Sequence, residues 1–369
     1  MKKSPQSPRE SIKIRAAVTR DSTRPMEIEQ LELEGPRDDE VLVRIVAAGV
    51  CHTDIGIYQR WNPTDQPGVL GHEGAGIVEK AGKTIKSLKV GDHVVLSFAS
   101  CGKCAQCQSG QPWLCQYLME LNFGFRRLDG SNALHLSGVK GHFFGQSSFA
   151  TYSIATEQNA VKVPSDLDLA ILGPLGCGLQ TGAGTVMNTL AVGPGASIAI
   201  FGTGAVGLAA VMAAKIVGAN PVIGVDINPM RLKLALELGA THVVDSREAD
   251  VVEAVSQITG SGIDYAVETT GNDRIGKLAV ELLNPGGAVG FLTPGPRPTN
   301  LTGDRKVINV TEGSSVPQVF IPRLIELYRQ GQFPFDRLIK FYEFADINTA
   351  IADSIKGDTI KPVLHVSRP

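Results

Sequence analysis

Between Gly49 and Gly82 the chain carries Cys51-His52-Thr53-Asp54 and then Gly71-His72-Glu73-Gly74-Ala75-Gly76, so a thiol, two imidazoles and two carboxylates fall in a segment otherwise rich in glycine and valine. Thiolate sulfur and neutral imidazole are borderline-soft donors that suit zinc. Three protein ligands with a fourth position left open mark a catalytic rather than a structural zinc. Cys51 and His72 are two such candidates. The third is Cys177 in Gly176-Cys177-Gly178, a lone cysteine among glycines shortly before a glycine-rich pattern described below. Taken singly, a cysteine is more often a small core hydrophobe than a ligand, so the weight rests on the residues taken together.

A second group of thiols has different chemistry. Cys101-Gly102-Lys103-Cys104-Ala105-Gln106-Cys107 is followed by Cys115, giving x2, x2 and x7 spacings in a Gly- and Gln-rich lobe. Four thiolates can close a tetrahedral zinc site and order a loop too poor in apolar residues to order itself. Six cysteines in a chain of 369 residues without an export signal argue against a disulfide framework. An iron–sulfur cluster also fits the ligand count.

A third chemistry begins at Ser197. Ser197 to Phe201 reads as a short apolar strand, Gly202-Thr203-Gly204-Ala205-Val206-Gly207 follows at once, and Leu208 to Val217 reads as a helix. Pro221 to Val225 is the next strand and ends in Asp226. A G-x-G-x-x-G between strand and helix lets the backbone approach a pyrophosphate at the helix N-terminus, and an acidic residue about twenty positions on completes a dinucleotide site. Asp226 accepts hydrogen bonds from the ribose hydroxyls and repels a 2′-phosphate, so NAD is expected over NADP. Arg231, close by, is a complication, since an arginine there could tolerate a phosphate.

The elements that must hold these residues follow from the pattern. Ile14 to Val18, Glu40 to Ala48, Gly76 to Val78 and Asp92 to Ser97 read as strands, so Cys51 and His72 lie on loops carried by a β-rich domain. Alternation continues through helices 230–238, 251–258 and 275–283 and strands 242–244, 265–268 and 288–292. The result is an α/β chain with a doubly wound parallel sheet. Helices over 320–329 and 347–356 and a strand over 361–366 follow, the strand returning to the first domain. Phe143 to Tyr152 is apolar and aromatic; Phe149 reads as core, whereas Trp61, Phe98, Phe143 and Phe144 could line an apolar pocket beside the metal.

A net charge of −2 gives no electrostatic footprint for nucleic acid or anionic membrane and favours small uncharged partners. Ala191 to Ala214 is uncharged and long enough to span a bilayer, but its glycines and strand-turn-helix pattern favour a buried β-α unit. The polar first ten or so residues read as a disordered tail, neither secretory signal nor anchor, and a cytoplasmic location is expected.

Gly71-His72-Glu73-Gly74-Ala75-Gly76 running on to Ala81-Gly82 resembles the zinc signature of the medium-chain alcohol dehydrogenases, and the resemblance extends from about Ile14 to Val366. Within that family the chain is most similar to the aryl-alcohol (benzyl alcohol) dehydrogenases. The residues that carry this are Phe143-Phe144-Gly145-Gln146-Ser147-Ser148-Phe149-Ala150-Thr151-Tyr152, Gly173-Pro174-Leu175-Gly176-Cys177-Gly178, and Phe320-Ile321-Pro322-Arg323 running on to Phe333-Pro334-Phe335.

The resemblance implies a GroES-like catalytic domain over 1–178 completed by 314–369, a Rossmann NAD-binding domain over 179–313, and a homodimer or homotetramer. It implies NAD and two zinc ions per chain, one catalytic on Cys51, His72 and Cys177 and one structural on Cys101, Cys104, Cys107 and Cys115. Glu73 would lie behind the catalytic zinc and could exchange with a ligand, Asp54 would orient His72, and Thr53 would take the alcohol proton. Thr181 and Val206 would lie on the nicotinamide side, His52 and Lys361 at the pyrophosphate, and Leu292 would also bind the cofactor. Gly202, Gly204 and Gly207 would form the phosphate loop, and Asp226 and Arg231 would hold the adenosine ribose.

The implied reaction is reversible oxidation of an aryl or allylic primary alcohol to its aldehyde, with hydride passing to NAD. Two departures stand out. Many relatives end the proton relay on a histidine where this chain has Gly56, and Asn309 replaces a glycine common near the nicotinamide amide. The relay would then finish through water, the cofactor ribose or His52. An allylic terpenol such as geraniol competes with a benzylic substrate, because a flat conjugated alcohol meets an apolar pocket much as a benzyl group does. A zinc- and nucleotide-binding sensor without turnover would need neither an open metal position nor Thr53 and Glu73. Zinc-free quinone reductases lack Cys51, His72 and the cysteine lobe.

Overall fold

The computed structural model describes residues 10–299 and 301–368. The tail expected over the first ten or so residues therefore falls, but for Glu10, outside the described residues. The chain divides into two compact units, the first running to Gly176 and resuming at Ile339, the second covering Cys177–Leu338.

The first unit opens with β1 (Ser11–Thr19) and β2 (Glu27–Glu34), which pair antiparallel from Ser11↔Glu34 to Val18↔Glu27. The sequence pattern gives no strand at β2, whose Ile28, Leu31 and Leu33 are spaced among glutamates. Leu31 and Leu33 are nevertheless buried against the core. β3 (Val41–Gly49) is the near-continuous apolar strand expected, and it leads directly into α1 (His52–Tyr58). β4 (Gly68–Val69) joins β1, and β5 (Glu73–Ala81) and β6 (His93–Leu96) extend the sheet from β3.

Two short helices, α2 (Ala105–Gln108) and α3 (Leu118–Phe123), belong to the cysteine lobe. β7 (Tyr152–Ala155) pairs with β3 and β8 (Ala160–Lys162) with β6. α4 (Leu169–Leu172), capped by Asp168, passes through the turn Gly173–Gly176 to the unit boundary. One hydrophobic core, with Val41, Ile45, Leu70, Leu96, Phe143 and Phe149 at its centre, underlies all these strands.

The second unit starts with α5 (Gly178–Gly184) and then alternates strand and helix: β9 (Ile198–Phe201), α6 (Ala205–Ile216), β10 (Val222–Asp226), α7 (Pro229–Leu238), β11 (His242–Asp245), α8 (Val251–Thr259), β12 (Ile263–Glu268), α9 (Asp273–Glu281), β13 (Leu283–Phe291) and β14 (Lys306–Asn309). The six strands run parallel in the order β11-β10-β9-β12-β13-β14, the doubly wound arrangement whose crossover between β9 and β12 leaves a ligand crevice at the strand C-termini. Local chemistry agrees with this. Asn228, Asp250 and Asn272 accept from the first free N–H groups of α7, α8 and α9, and Gly239 and Gly260 end α7 and α8. The uncharged stretch Ala191 to Ala214 is divided between loop, β9 and α6, and among the described residues no helix is long and apolar enough to cross a membrane.

α10 (Pro317–Arg329) stays in the second unit, where it packs against α5 and buries Phe320, Ile321, Leu324 and Ile325. The return to the first unit therefore comes at Ile339 and not at 314, because an apolar helix face has its partner on the nucleotide-binding side. β15 (Ile339–Glu343) and β16 (Lys361–His365), joined through α11 (Ile347–Lys356), complete the sheet built on β3, in the order β15-β16-β3-β5-β6-β8 with β7 also on β3, while β2-β1-β4 form a separate sheet.

Candidate active site

β3 and β5 pair so that Gly49 faces Glu73, and β16 pairs with the same end of β3 through Val363↔Gly49. Three strands thus bring the start of α1, the first residue of β5 and Lys361 together. A methyl group on Gly49 would lie 2.1 Å from Glu73 Oε2, so glycine is required for this carboxylate to lie over β3.

Asp54 fixes the geometry from below. Fully buried, its Oδ1 accepts from Gly71 N at 3.0 Å and lies 2.9 Å from His72 Nδ1, and its Oδ2 accepts from Cys51 N at 3.0 Å. One carboxylate therefore holds the backbone of one ligand candidate and the ring of the other. With Nδ1 committed to Asp54, His72 Nε2 is left buried without a hydrogen-bond partner. The thiols of Cys51 and Cys177, a nitrogen of His72 and a carboxylate oxygen of Glu73 all lie within 4.8 Å of one another. Cys177 directly follows the turn Gly173–Gly176, which Ser97 Oγ anchors by donating to Gly176 O at 2.6 Å.

An unpartnered imidazole nitrogen beside two thiols is a donor set that fits zinc. Burial alone would lower the pKa of His72, but the Asp54 carboxylate and Cys51 outweigh it and hold the ring well above its ordinary value. The same field favours any cation at Nε2. Burial pushes Glu73 up to about 7 against the opposing pull of Lys361.

Lys361 has a partner that sequence reading did not give it. Expected at the pyrophosphate, it is 3% exposed, and its ammonium donates to both Glu73 oxygens at 2.9 Å and to Val50 O at 3.4 Å. Thr53 is half-buried with Oγ1 3.9 Å from Cys51 Sγ, and His52 is exposed.

The aromatic residues divide. Phe144 stacks on His72 with ring centroids 4.4 Å apart, and Phe143 meets the same ring edge-on at 5.5 Å. Phe143 also stacks on Phe125, which Trp61 meets edge-on. Trp61, Phe98, Phe143 and Phe144 are all buried in the hydrophobic core. Large flat side chains serve as core and as pocket wall alike, which is why their sequence does not separate the two roles.

In the cysteine lobe the ligand atoms of Cys101, Cys104, Cys107 and Cys115 also lie within 4.8 Å of one another. Cys107 Sγ is 3.9 Å from Cys101 Sγ and 3.5 Å from Cys104 Sγ, and all six cysteines are free thiols. Lys103 N and Cys104 N donate to Cys101 Sγ, and Cys101 N and Tyr117 N to Cys115 Sγ. Backbone N–H groups pull Cys104 down to about 6 while burial pushes Cys115 up to about 12. Four sulfurs this close cannot all ionise without a cation among them.

In the second unit β9 turns at Gly202 into α6. A methyl on Gly207 would lie 1.8 Å from Gly202 O, so the helix can pack this closely only on glycine, whereas the space above Gly204 is open and no side chain caps α6. That uncapped N-terminus fits a pyrophosphate. Asp226 Oδ2 accepts from Thr203 N and Oγ1 at 2.6 and 2.9 Å, and Oδ1 from Ile227 N and Asn228 N. Arg231 leaves its Nε without a partner. Thr181 Oγ1 donates to Glu312, a residue sequence reading passed over, and Leu292 follows β13 with its N–H on Glu268 O. Asn309 accepts from Arg297 Nε at 2.7 Å. Thr181, Gly202, Gly204, Val206, Gly207, Asp226, Arg231 and Leu292 thus belong to the second unit, and His52 and Lys361 to the first.

Residues 37–165 match the alcohol dehydrogenase GroES-like domain and residues 205–314 the zinc-binding dehydrogenase domain, so fold and site define a zinc-binding dehydrogenase. The chain belongs to the zinc-dependent medium-chain alcohol dehydrogenase family, in which NAD with a catalytic and a structural zinc is typical and the substrates are small alcohols and aldehydes. It is 46% identical over 365 residues to geraniol dehydrogenase of Castellaniella defragrans, an alignment covering 96% of this chain and 98% of the relative. The crystal structure of benzyl alcohol dehydrogenase from Acinetobacter calcoaceticus superposes with a TM-score of 0.92 at 45% identity, covering 96% of this chain and all of that one. S-(hydroxymethyl)glutathione dehydrogenase of Synechocystis is 33% identical over 368 residues, with 96% and 100% covered.

Proposed function

We propose that the chain oxidises benzylic primary alcohols to aldehydes, reversibly and with NAD, and that Cys51, His72 and Cys177 hold the catalytic zinc while Cys101, Cys104, Cys107 and Cys115 hold the structural one. The observation that carries this is the convergence of Cys51, His72, Glu73 and Cys177, with His72 Nε2 buried and unpartnered.

When bound, zinc supplies the Lewis acidity that lowers the pKa of an alcohol hydroxyl, and NAD is the hydride acceptor. The chain's own groups do the rest. Asp54 keeps the His72 ring oriented with its lone pair toward the cluster, as the partner of a ligating histidine does. Thr53 Oγ1 takes the alcohol proton. With Gly56 beyond it, that proton leaves through water, the cofactor ribose or the exposed His52. Phe144, stacked on His72, would give the substrate pocket a flat apolar wall.

An allylic terpenol is the second reading, favoured by the likeness to a geraniol dehydrogenase. A glutathione adduct is disfavoured: an anionic substrate wants an unneutralised cation, and the buried Lys361 is committed to Glu73. A homodimer or homotetramer in a reducing, cytoplasmic setting is proposed with it, in keeping with thiols used as ligands; light scattering reads the subunit count. The test is turnover of benzyl alcohol and geraniol with NAD on a preparation whose zinc has been counted. Faster benzylic turnover with two zinc per chain supports the reading; faster geraniol turnover favours the second, and activity on neither sinks both.

A further inference from the structure

The ladder between β5 and β6 ends at Ala75↔Val95. Beyond it the two strands part, one toward His72 and the other toward Ser97, and their backbone groups need other partners. One side chain supplies them. Gln146, 2% exposed, donates through Nε2 to His72 O at 2.9 Å and to Ser97 O at 3.1 Å, and its Oε1 accepts from Gly74 N at 3.2 Å. The amide orientation is fixed by these partners, since two carbonyls need the NH2 and one N–H needs the oxygen.

Ser97 continues the connection, its hydroxyl donating to Gly176 O at 2.6 Å immediately before Cys177. Gln146 itself sits in a tightly turned segment, with Phe144, Gly145 and Ser147 all at positive φ and the turn closed by Phe143 N donating to Ser147 Oγ. The same turn lays Phe144 on the His72 ring.

We infer that Gln146 is a positioning residue for the catalytic zinc, joining through one buried amide the backbone of His72, the start of β5 and, by way of Ser97, the turn that delivers Cys177. The inference rests on the proposed reading of Cys51, His72 and Cys177 as zinc ligands. It gives the amide a task that an apolar side chain of the same size cannot perform, because three buried backbone groups would lose their partner at once.

The test is zinc release from the full, zinc-loaded chain to an excess of chelator. Wild type should release two zinc ions in two phases, the catalytic phase being the one absent from Cys177→Ser. Gln146→Met should speed that phase about 10- to 100-fold, and Ser97→Ala should speed it less, while the phase of the cysteine lobe is unchanged. An unchanged catalytic phase, or both phases accelerating together as a general loosening would produce, overturns the inference. If Gln146→Met does not fold, Ser97→Ala decides by the same criterion. A wild-type chain that binds a single zinc would instead sink the metal reading itself.

Discussion

The Lys361 ammonium lies 2.9 Å from each carboxylate oxygen of Glu73, and both side chains are buried although they stand 288 residues apart in the chain. Removing one partner of such a pair strands the other. Lys361→Met should therefore destabilise the first unit by about 3 kcal/mol. Lys361→Met with Glu73→Gln should cost less than the two single changes added. Denaturant unfolding of the four proteins measures the coupling, and strict additivity would show that the two side chains do not interact.

A second relationship governs acid stability. His142 is buried, its Nε2 accepts from Ala133 N at 3.1 Å, and burial, aided by Arg127 and Arg37, pushes its pKa down to about 3. Between roughly pH 6.5, where a histidine in the unfolded chain titrates, and pH 3 the unfolded state binds a proton that the folded state refuses. Stability from this group is complete above the upper limit and is lost as pH falls, by at most about 1.4 kcal/mol per pH unit. His142→Gln, which keeps an acceptor without a titrating ring, should flatten the dependence of urea midpoint on pH between 7 and 5. Parallel curves for the two proteins would assign the acid sensitivity elsewhere.

At the nucleotide loop, Asp226 is bound to both the backbone and the hydroxyl of Thr203. Asp226→Asn should raise KM for NAD by about tenfold or more, a charge-assisted hydrogen bond contributing about 1.5–3 kcal/mol, and should narrow the preference over NADP. Thr203→Val should have a smaller effect of the same kind with kcat nearly unchanged. Steady-state kinetics with both cofactors reads this, and an unaltered NAD to NADP ratio in Asp226→Asn would remove Asp226 from cofactor choice.

The cysteine lobe has α2 and α3, each short, and little core of its own, so its order should depend on the metal. Cys115→Ser should lower the zinc content from two to one per chain and open the 101–123 region to protease, with cleavage sites mapped by mass spectrometry. Full zinc content in that variant would contradict a four-thiolate site.

Much of this was legible in the chain itself. The spacings of Cys101, Cys104, Cys107 and Cys115 and the run Gly202 to Gly207 between strand and helix are local patterns with a local physical cause, and the structure forms the lobe and the β9-α6 turn from them. Asp54 came only through the family resemblance; that its carboxylate also reaches Cys51 N follows from α1, a helix not read from the sequence. What was hidden has no local signature. Lys361 finds Glu73 only because β16 joins β3, and Gln146, embedded in an aromatic run, shows its role only where β5 and β6 separate. α10 reads as an amphipathic helix either way, and only its packing against α5 assigns it to the second unit.

The most direct measurement is anomalous diffraction at the zinc edge from crystals of the zinc-loaded enzyme. A peak at about 2.0–2.3 Å from Cys51 Sγ, His72 Nε2 and Cys177 Sγ, with Glu73 still on Lys361 and a fourth position open, is the predicted result. No peak there, or a fourth protein ligand filling that position with and without NAD, would contradict the account.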